Sequence, residues 1–250
     1  MAFLRSNLWD GRKHHLDRMT VPELVAAYFA YPAIQGYLSF GVLATAATVY
    51  LWPGFLPALS AVIATLMVYG LVWYILHRFV LHGRYLYRIP MTSPVWKRIH
   101  FDHHVDPNDL GVLFGALYTT LPTIAIATIP LGWLIGGPGG GAAAFAMGLF
   151  TTCAYEFCHC IQHLKFMPKQ QWLKQIKRLH MAHHFHNEQG NYGITTFLWD
   201  KLFGSFYASV SQKPASKTVR NLGYTEEESV RFPWVAELSR LKKAEKKTKN

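Results

Sequence analysis

Charged residues vanish from three long stretches of this chain. Gly36 to Leu76 contains none and is interrupted only by Trp52-Pro53-Gly54, and the same holds for Gly111 to Ile135 and Gly139 to Tyr155. A helix rises about 1.5 Å per residue, so about 20 apolar residues cross a hydrocarbon layer of about 30 Å. The pattern predicts spans over 37–52, 55–76, 111–135 and 139–160. They form two hairpins in an all-α integral membrane protein. The first span is short and ends at Pro53, so it is expected to lie at an angle or to cross only in part.

A different periodicity follows Pro168. Trp172, Leu173, Ile176 and Leu179 share one helical face, His180 and His183 extend it, and Lys174, Lys177 and Arg178 lie opposite. This is an amphipathic helix whose apolar stripe runs into histidines. Near the N-terminus, Thr20-Val-Pro-Glu23 is a capping box opening the apolar-rich run Leu24 to Ala30, which predicts an interfacial helix ahead of the first span. No repeats stand out. The chain divides by pattern into an interfacial segment (1–35), a membrane domain (36–210) and a basic tail (211–250).

Composition supports the membrane reading, with 51% hydrophobic and 16% charged residues. The net charge of +11 would point to nucleic acid in a soluble protein, but its placement points elsewhere. All 25 Lys and Arg fall in three blocks, Arg5 to Arg18, Arg78 to Arg98 and Lys165 to Lys249, and none falls in the two short turns. A central Lys or Arg costs about 3 kcal/mol to insert, and short loops rich in them stay cytoplasmic. Both termini and the central loop are therefore expected on the cytoplasmic side, with no nucleic-acid partner. Arg240, Lys242, Lys243, Lys246, Lys247 and Lys249 read as a solvated end near anionic headgroups. No cleavable signal is expected, because the first apolar span begins after charged residues of both signs. Cys153, Cys158 and Cys160 lie on the fourth span and read as small helix-packing residues.

Ten of the 13 histidines fall in four boxes: His77 and His82 in HRFVLH, His100, His103 and His104 in HFDHH, His159 and His163 in HCIQH, and His180, His183 and His184 in HMAHH. Hydropathy and basic charge alone place all ten at one membrane face. Spacings of three and four put rings on one helical face. In HRFVLH the spacing is five, about 140° apart on a regular helix. Its rings either serve two different metals or the helix loosens before Pro90. A protonated cluster repels itself and a buried neutral one leaves ring nitrogens unpaired. A metal removes both problems, and ten ligands suggest two ions with about five nitrogens each. A pH switch is the alternative. Imidazole suits zinc, copper, iron and nickel, so ligand type does not choose the metal.

Taken together, HRFVLH, HFDHH, YEFCHCIQH, HMAHH and the later NYGITTFLWDKLFGSF resemble the membrane fatty acid hydroxylase / sterol desaturase superfamily of histidine-box diiron oxygenases. The resemblance covers about residues 70 to 207. The gap between His77 and His82 is similar to that of fatty acid 2-hydroxylases and carotenoid hydroxylases, and Tyr155-Glu156 before His159 also resembles the 2-hydroxylases. The Phe-Gly-Ser ending is closer to the wider superfamily. The resemblance implies a cytoplasmic helical cap holding two iron ions on the ten histidines; zinc stands above iron in the affinity order, so it can replace iron on purification. It implies dioxygen as cosubstrate, and hydroxylation of a lipid C–H bond, first of all in a fatty acyl chain. No fused cytochrome b5 domain is visible, so electrons are expected from a separate donor such as cytochrome b5 or ferredoxin with its reductase. A bacterial inner membrane is the first expectation for location and the endoplasmic reticulum the second.

Glu156 shares a helical face with His159 and is read first as an acceptor for a ligating imidazole, then as packing or as a direct ligand. Asp102 and Asp106 either do the same or are solvated, and Asp200 either holds a histidine N–H or caps a helix. His186 is left out of the site, His14 and His15 read as surface residues, and Asn187, Gly190, Asn191 and Gly193 read as a shaped turn. The same residues leave open a sterol or carotenoid hydroxylase or desaturase, and, from another class, a membrane metal transporter or metal-binding protein. A transporter would place ligands near the bilayer midplane, which this pattern does not.

Overall fold

The computed structural model of the protein describes residues 14–248, with side chains described through residue 241. Helices α1 (Val21–Ala30), α2 (Pro32–Tyr50) and α3 (Phe55–Ile75) come first, followed by the long α4 (Leu117–His163), α5 (Gln171–Phe185), α6 (Leu198–Leu202), α7 (Glu226–Arg231) and α8 (Trp234–Thr248). No strand forms among the described residues, only an isolated bridge between His15 and Asp109. The expected capping box starts α1: the Thr20 side chain accepts from Glu23 N, and Glu23 returns a 2.8 Å bond to Thr20 N.

Helix α4 is two helices. Its backbone leaves helical geometry at Gly136 and at Gly137, where φ is +59°. The arms, residues 117–135 and 138–163, fold back on each other. A Cβ on Gly132 would fall 2.5 Å from that of Ala144, one on Gly141 would meet Ile129, and one on Gly148 would meet Thr128 at 2.9 Å. These pairs run antiparallel, and only small residues let the two backbones approach so closely. α2 and α3 form the second hairpin around Leu51–Gly54. The two turns pack together, because Gly136 lies against Pro53 and Pro57, and Gly139 against the Leu51 carbonyl. The histidines therefore gather at the other end of both hairpins.

Two helical segments are long and apolar enough to cross a membrane, Phe55–Leu81 (mean hydropathy 2.1) and Leu110–His163 (mean hydropathy 1.7). The second contains both arms of the α4 hairpin. α2, expected as the first span, falls outside that criterion; Gln35, Ser39, Thr45 and Thr48 with its glycines and alanines dilute its apolarity. It still exposes Phe40, Val42, Leu43 and Val49.

Beyond residue 211 the chain is more than a solvated tail. Leu222, Tyr224 and Val235 are buried with Tyr87, Trp96 and Phe101 of the central loop in one apolar cluster. Tyr87 OH donates to Glu228 at 2.7 Å. Of the tail cations, Lys242, Lys243, Lys246 and Lys247 lie outside the described side chains and Lys249 outside the described residues. The α4 hairpin generates a prediction about its two kinds of glycine. Gly132→Leu, which must push into the opposite arm, should destabilise by about 3 kcal/mol or more. Gly137→Ala, with nothing within 4 Å of the added Cβ but a φ of +59° and ψ of −150° that suit glycine alone, should cost about 1–3 kcal/mol. Thermal midpoints in detergent would show this order, and equal effects would contradict the close packing.

Candidate metal centre

All ten boxed histidines converge, in two groups of five. His77, His82, His100, His104 and His183 make one group, and His103, His159, His163, His180 and His184 the other; within each group one ring nitrogen per residue lies within 4.8 Å of the rest. The Nε2 atoms of His82 and His100 are 2.8 Å apart, those of His77 and His82 3.2 Å, of His163 and His180 2.9 Å, and of His103 and His159 3.2 Å. The groups are neighbours, since the His104 and His184 ring centroids are 4.3 Å apart.

Local backbone geometry produces this division. Leu76–Leu81 forms a π-helical turn in which His82 N donates to His77 O at 3.1 Å. The wider turn brings positions five apart onto one face, so both rings of HRFVLH enter the same group. Of the two expectations for this box, the backbone shows the loosened helix, and both rings fall in one histidine group. A second π turn, Lys97–Phe101, precedes His103. In HFDHH, His100 and His104 go to one group and His103 to the other, and in HMAHH His183 parts from His180 and His184. The HxxHH boxes therefore straddle the two groups, and the adjacent histidines at 103/104 and 183/184 tie them together. On α5, Trp172 is exposed rather than part of the buried stripe. Lys177 is not on an outward face: its Nζ donates to Gln162 O and Leu164 O, both at 2.7 Å, capping the C-terminus of α4. Burial pushes that amine down to about 8.

Backbone carbonyls orient three rings. Nδ1–H of His77 donates to Tyr192 O at 2.6 Å, that of His183 to Gly190 O at 2.8 Å and that of His104 to Val219 O at 2.9 Å. Fixing the proton on Nδ1 leaves Nε2 as the lone-pair donor. For His104 and His183 that Nε2 is buried without a partner, and His184 has neither nitrogen paired. Each such orphan costs about 1–3 kcal/mol. Burial, then neighbouring rings, hold His100, His103, His180 and His184 well below the ordinary imidazole range, and His104 lies at about 3. Neutral, convergent and unpaired imidazoles are the state a divalent cation binds, so the residues fit two ions with five nitrogens each.

The loop after α5 supplies two of the three carbonyls, and Asp200 holds it. Asp200 accepts from Tyr192 N and Gly193 N, both at 2.9 Å, and from Ser205 Oγ at 2.7 Å. Asn191 pairs with the Tyr207 backbone in both directions, and Asn191 N donates to Ser205 O. The stretch NYGITTFLWDKLFGSF is thus a brace behind His77 and His183. Asp200 lies inside α6, and its carboxylate bonds to neither a histidine nor a terminus of that helix. The expected turn at 187–193 is present and also carries the acceptor carbonyls. Val219 was missed altogether, and no sequence signal marks a backbone carbonyl contributed from an apparently basic tail. Glu156 is buried, but its carboxylate accepts from Gly115 N at 3.1 Å rather than from an imidazole. Asp102 pairs with the buried Lys97. His186 stands apart, its Nε2 donating to Lys213 O at 2.7 Å. All three cysteines are free thiols.

A cavity of about 350 Å³ opens onto both groups, touching His77 and His100 from one and His103, His159, His180 and His184 from the other. Its walls are otherwise mostly apolar, with Trp73, Val80, Val95 and Ile99 among them, and Glu156, Thr119, Thr120 and Thr123 on one side.

A family model described as Fatty acid hydroxylase matches residues 62–205, which hold all ten histidines and the Asp200 brace. The chain belongs to the fatty acid hydroxylase family. Within it, similarity extends to the ceramide very long chain fatty acid hydroxylase SCS7 of Saccharomyces cerevisiae, 30% identical over 146 residues (56% of this chain, 36% of that one). The dihydroceramide fatty acyl 2-hydroxylase FAH2 of Arabidopsis thaliana is 32% identical over 160 residues (60% of this chain, 62% of that one). A solved structure of full-length scs7p, with only the hydroxylase domain visible, superposes with a TM-score of 0.62 at 26% identity, covering 76% of this chain and 69% of that one. The chain thus spans between about a third and two thirds of these two curated relatives. Both are eukaryotic, and the expected bacterial inner membrane draws no support from them.

Metal binding and pH dependence each check the site. His183→Ala and His163→Ala each remove a ligand from a different group, so metal per chain by mass spectrometry should fall from about two toward one in either variant. Asp200→Asn, which loosens the loop behind His77 and His183, should weaken metal retention by about 10–100-fold against a chelator without removing a ligand. The second concerns pH. His104 is about 3 in the folded chain against 6.5 ordinarily, so the unfolded chain takes up protons below about 6.5 that the native one refuses. The metal-free protein should be fully stable above that value and lose stability as pH falls from 6.5 toward 3. A melting midpoint that stays flat from pH 7.5 to 4.5 would contradict neutral burial.

Proposed function

We propose that this chain is a membrane-embedded dimetal oxygenase that hydroxylates a C–H bond of a fatty acyl chain. The observation that carries the reading is the junction of two five-histidine groups with one apolar cavity of about 350 Å³. Membership of the fatty acid hydroxylase family and similarity to enzymes named as ceramide and fatty acyl hydroxylases support the substrate class. The ten histidines are the metal ligands, and iron is the working metal. When bound, iron supplies the activation of dioxygen after reduction.

The residues of this chain do the rest. Val80, Val95 and Ile99 hold the acyl chain by apolar contact and keep bulk water away from the reacting carbon. Glu156 and the neighbouring threonines give the cavity a polar side that orients the lipid, with Gly115 N–H fixing the carboxylate. The carbonyls of Tyr192, Gly190 and Val219 keep His77, His183 and His104 turned toward the metals. Four spans, the α2–α3 pair and the two arms of α4, present the exposed apolar side chains of Leu56, Met67, Ile126 and Leu134 to lipid. The histidine end is a cytoplasmic cap, continuous with the packed residues 211–241, and electrons reach it from a redox partner. The names of the relatives weigh against a metal transporter.

Lipid mass spectrometry of cells expressing wild type or His183→Ala tests this. A lipid gaining one oxygen with wild type only is expected, with both proteins at equal levels in the membrane. Equal lipid profiles with iron-loaded wild type would falsify the assignment.

A further inference from the structure

The three carbonyls that hold imidazoles are not shared between the groups. His77, His104 and His183 all belong to the first group, and each has Nδ1 tied to a backbone oxygen at 2.6–2.9 Å. In the second group Nδ1 of His103, His163 and His180 is buried without a partner, as are both ring nitrogens of His184. The two sets of five are alike in composition and unlike in support.

Part of that support lies outside residues 62–205, which the family model matches. Between Lys213 and Arg220 the chain crosses the loop after α5 and reaches the second histidine box. Asn187 Nδ2 donates to Pro214 O at 2.8 Å, Ser216 N to His186 O at 2.8 Å, and Thr218 Oγ1 to the buried Glu188 at 2.5 Å. Arg220 donates to His104 O at 3.2 Å. Val219, between Thr218 and Arg220, is thereby pinned where its carbonyl meets His104 Nδ1. Leu222 and Tyr224 anchor the far end in the apolar cluster with Trp96 and Phe101. The segment is a clasp, and the one boxed histidine that these bonds reach is His104, a first-group ring.

Resting on the reading of the ten histidines as metal ligands, we propose that the two sites bind their ions unequally. The first group, oriented by three carbonyls and closed by the 213–220 clasp, holds its ion tightly. The second, four of whose five rings line the acyl cavity, holds its ion loosely. A hydrogen bond behind a ligating imidazole fixes its tautomer and direction before the ion arrives, and such support changes affinity by about 10–100-fold. Partial exposure of His82 in the first group governs how fast an ion enters or leaves, not how tightly it is held.

The test uses the full chain in detergent, stripped of metal and loaded with Co²⁺ alone, whose visible absorption reports the bound ion. A graded chelator sets free Co²⁺, so affinity is read at equilibrium. Wild type should release two ions in two steps, with midpoints at least about ten-fold apart. Repulsion between neighbouring cations also separates such steps, so each site is measured alone as well. His159→Ala with His163→Ala leaves the first group intact, and His77→Ala with His82→Ala leaves the second. The former should bind its one ion at least about ten-fold more tightly than the latter. Thr218→Val removes a hydroxyl outside both groups. It should weaken the tight step about ten-fold and leave the loose step in place, whereas Thr218→Ser stays near wild type. The Thr218 variants keep all ten histidines, so this arm stands even where a double variant fails to fold. Equal affinities in the two double variants, tighter binding by the second group, or a Thr218→Val effect on neither step or on both alike overturns the inequality. A wild-type chain that binds no Co²⁺ overturns the metal-ligand reading itself.

Discussion

Burying ten imidazoles together is the constraint on which the rest of this structure depends. Their ring centroids lie as close as 4.3–5.2 Å, and a protonated ring in such a group would face several others in a low-dielectric interior. The rings are therefore neutral, and neutral rings present lone pairs that need partners. The fold answers at His77, His104 and His183 with a carbonyl behind Nδ1, and at His104 and His183 it leaves Nε2 unpaired. That asymmetry, carbonyl behind and lone pair in front, is what a candidate ligand shows and a core histidine satisfied on both nitrogens does not.

The secondary structure bends to meet that constraint. Two π turns fall inside the first two histidine boxes and not in the long helices, where an ordinary α-helix would aim His77 and His82 about 140° apart. The brace built on Asp200 has the same purpose one layer further out. A carboxylate that accepts three hydrogen bonds at 2.7–2.9 Å holds a short loop rigid, and the rigidity passes through two carbonyls to two rings. Lys177 on the α4 terminus and Gln162 Nε2 donating to Ile194 O at 2.6 Å fasten α4 to α5 and to this loop. The polar groups nearest the centre thus mostly position other groups.

Two environments meet at the centre. One is an apolar cavity that suits a hydrocarbon chain and excludes water. The other is a smaller cavity beside His82, with the polar side chains of Arg78, Arg84, Glu188 and Gln189 in its lining.

The sequence alone picked out the ten histidines that the fold brings together as a candidate site, and the end of the helices at which they lie. Charge-free runs, turns without Lys or Arg and histidines at helical spacings are local patterns, and each follows from the 3.6-residue period or from the cost of charge in an apolar medium. The two-hairpin arrangement was legible for the same reason, including the turn at Gly136–Gly137 between the runs 111–135 and 139–160, although α2 proved less apolar than a span requires. Only the tertiary structure decided how the ten histidines divide. HxxHH reads as one face of one helix, yet His103 and His183 part from their neighbours, because the division depends on which rings from other elements surround them. The roles of Asp200, Lys177, Val219 and Glu156 were likewise hidden. Each acts through a hydrogen bond to a backbone group distant in sequence, and no periodicity encodes which carbonyl or N–H will be nearby once the chain has folded.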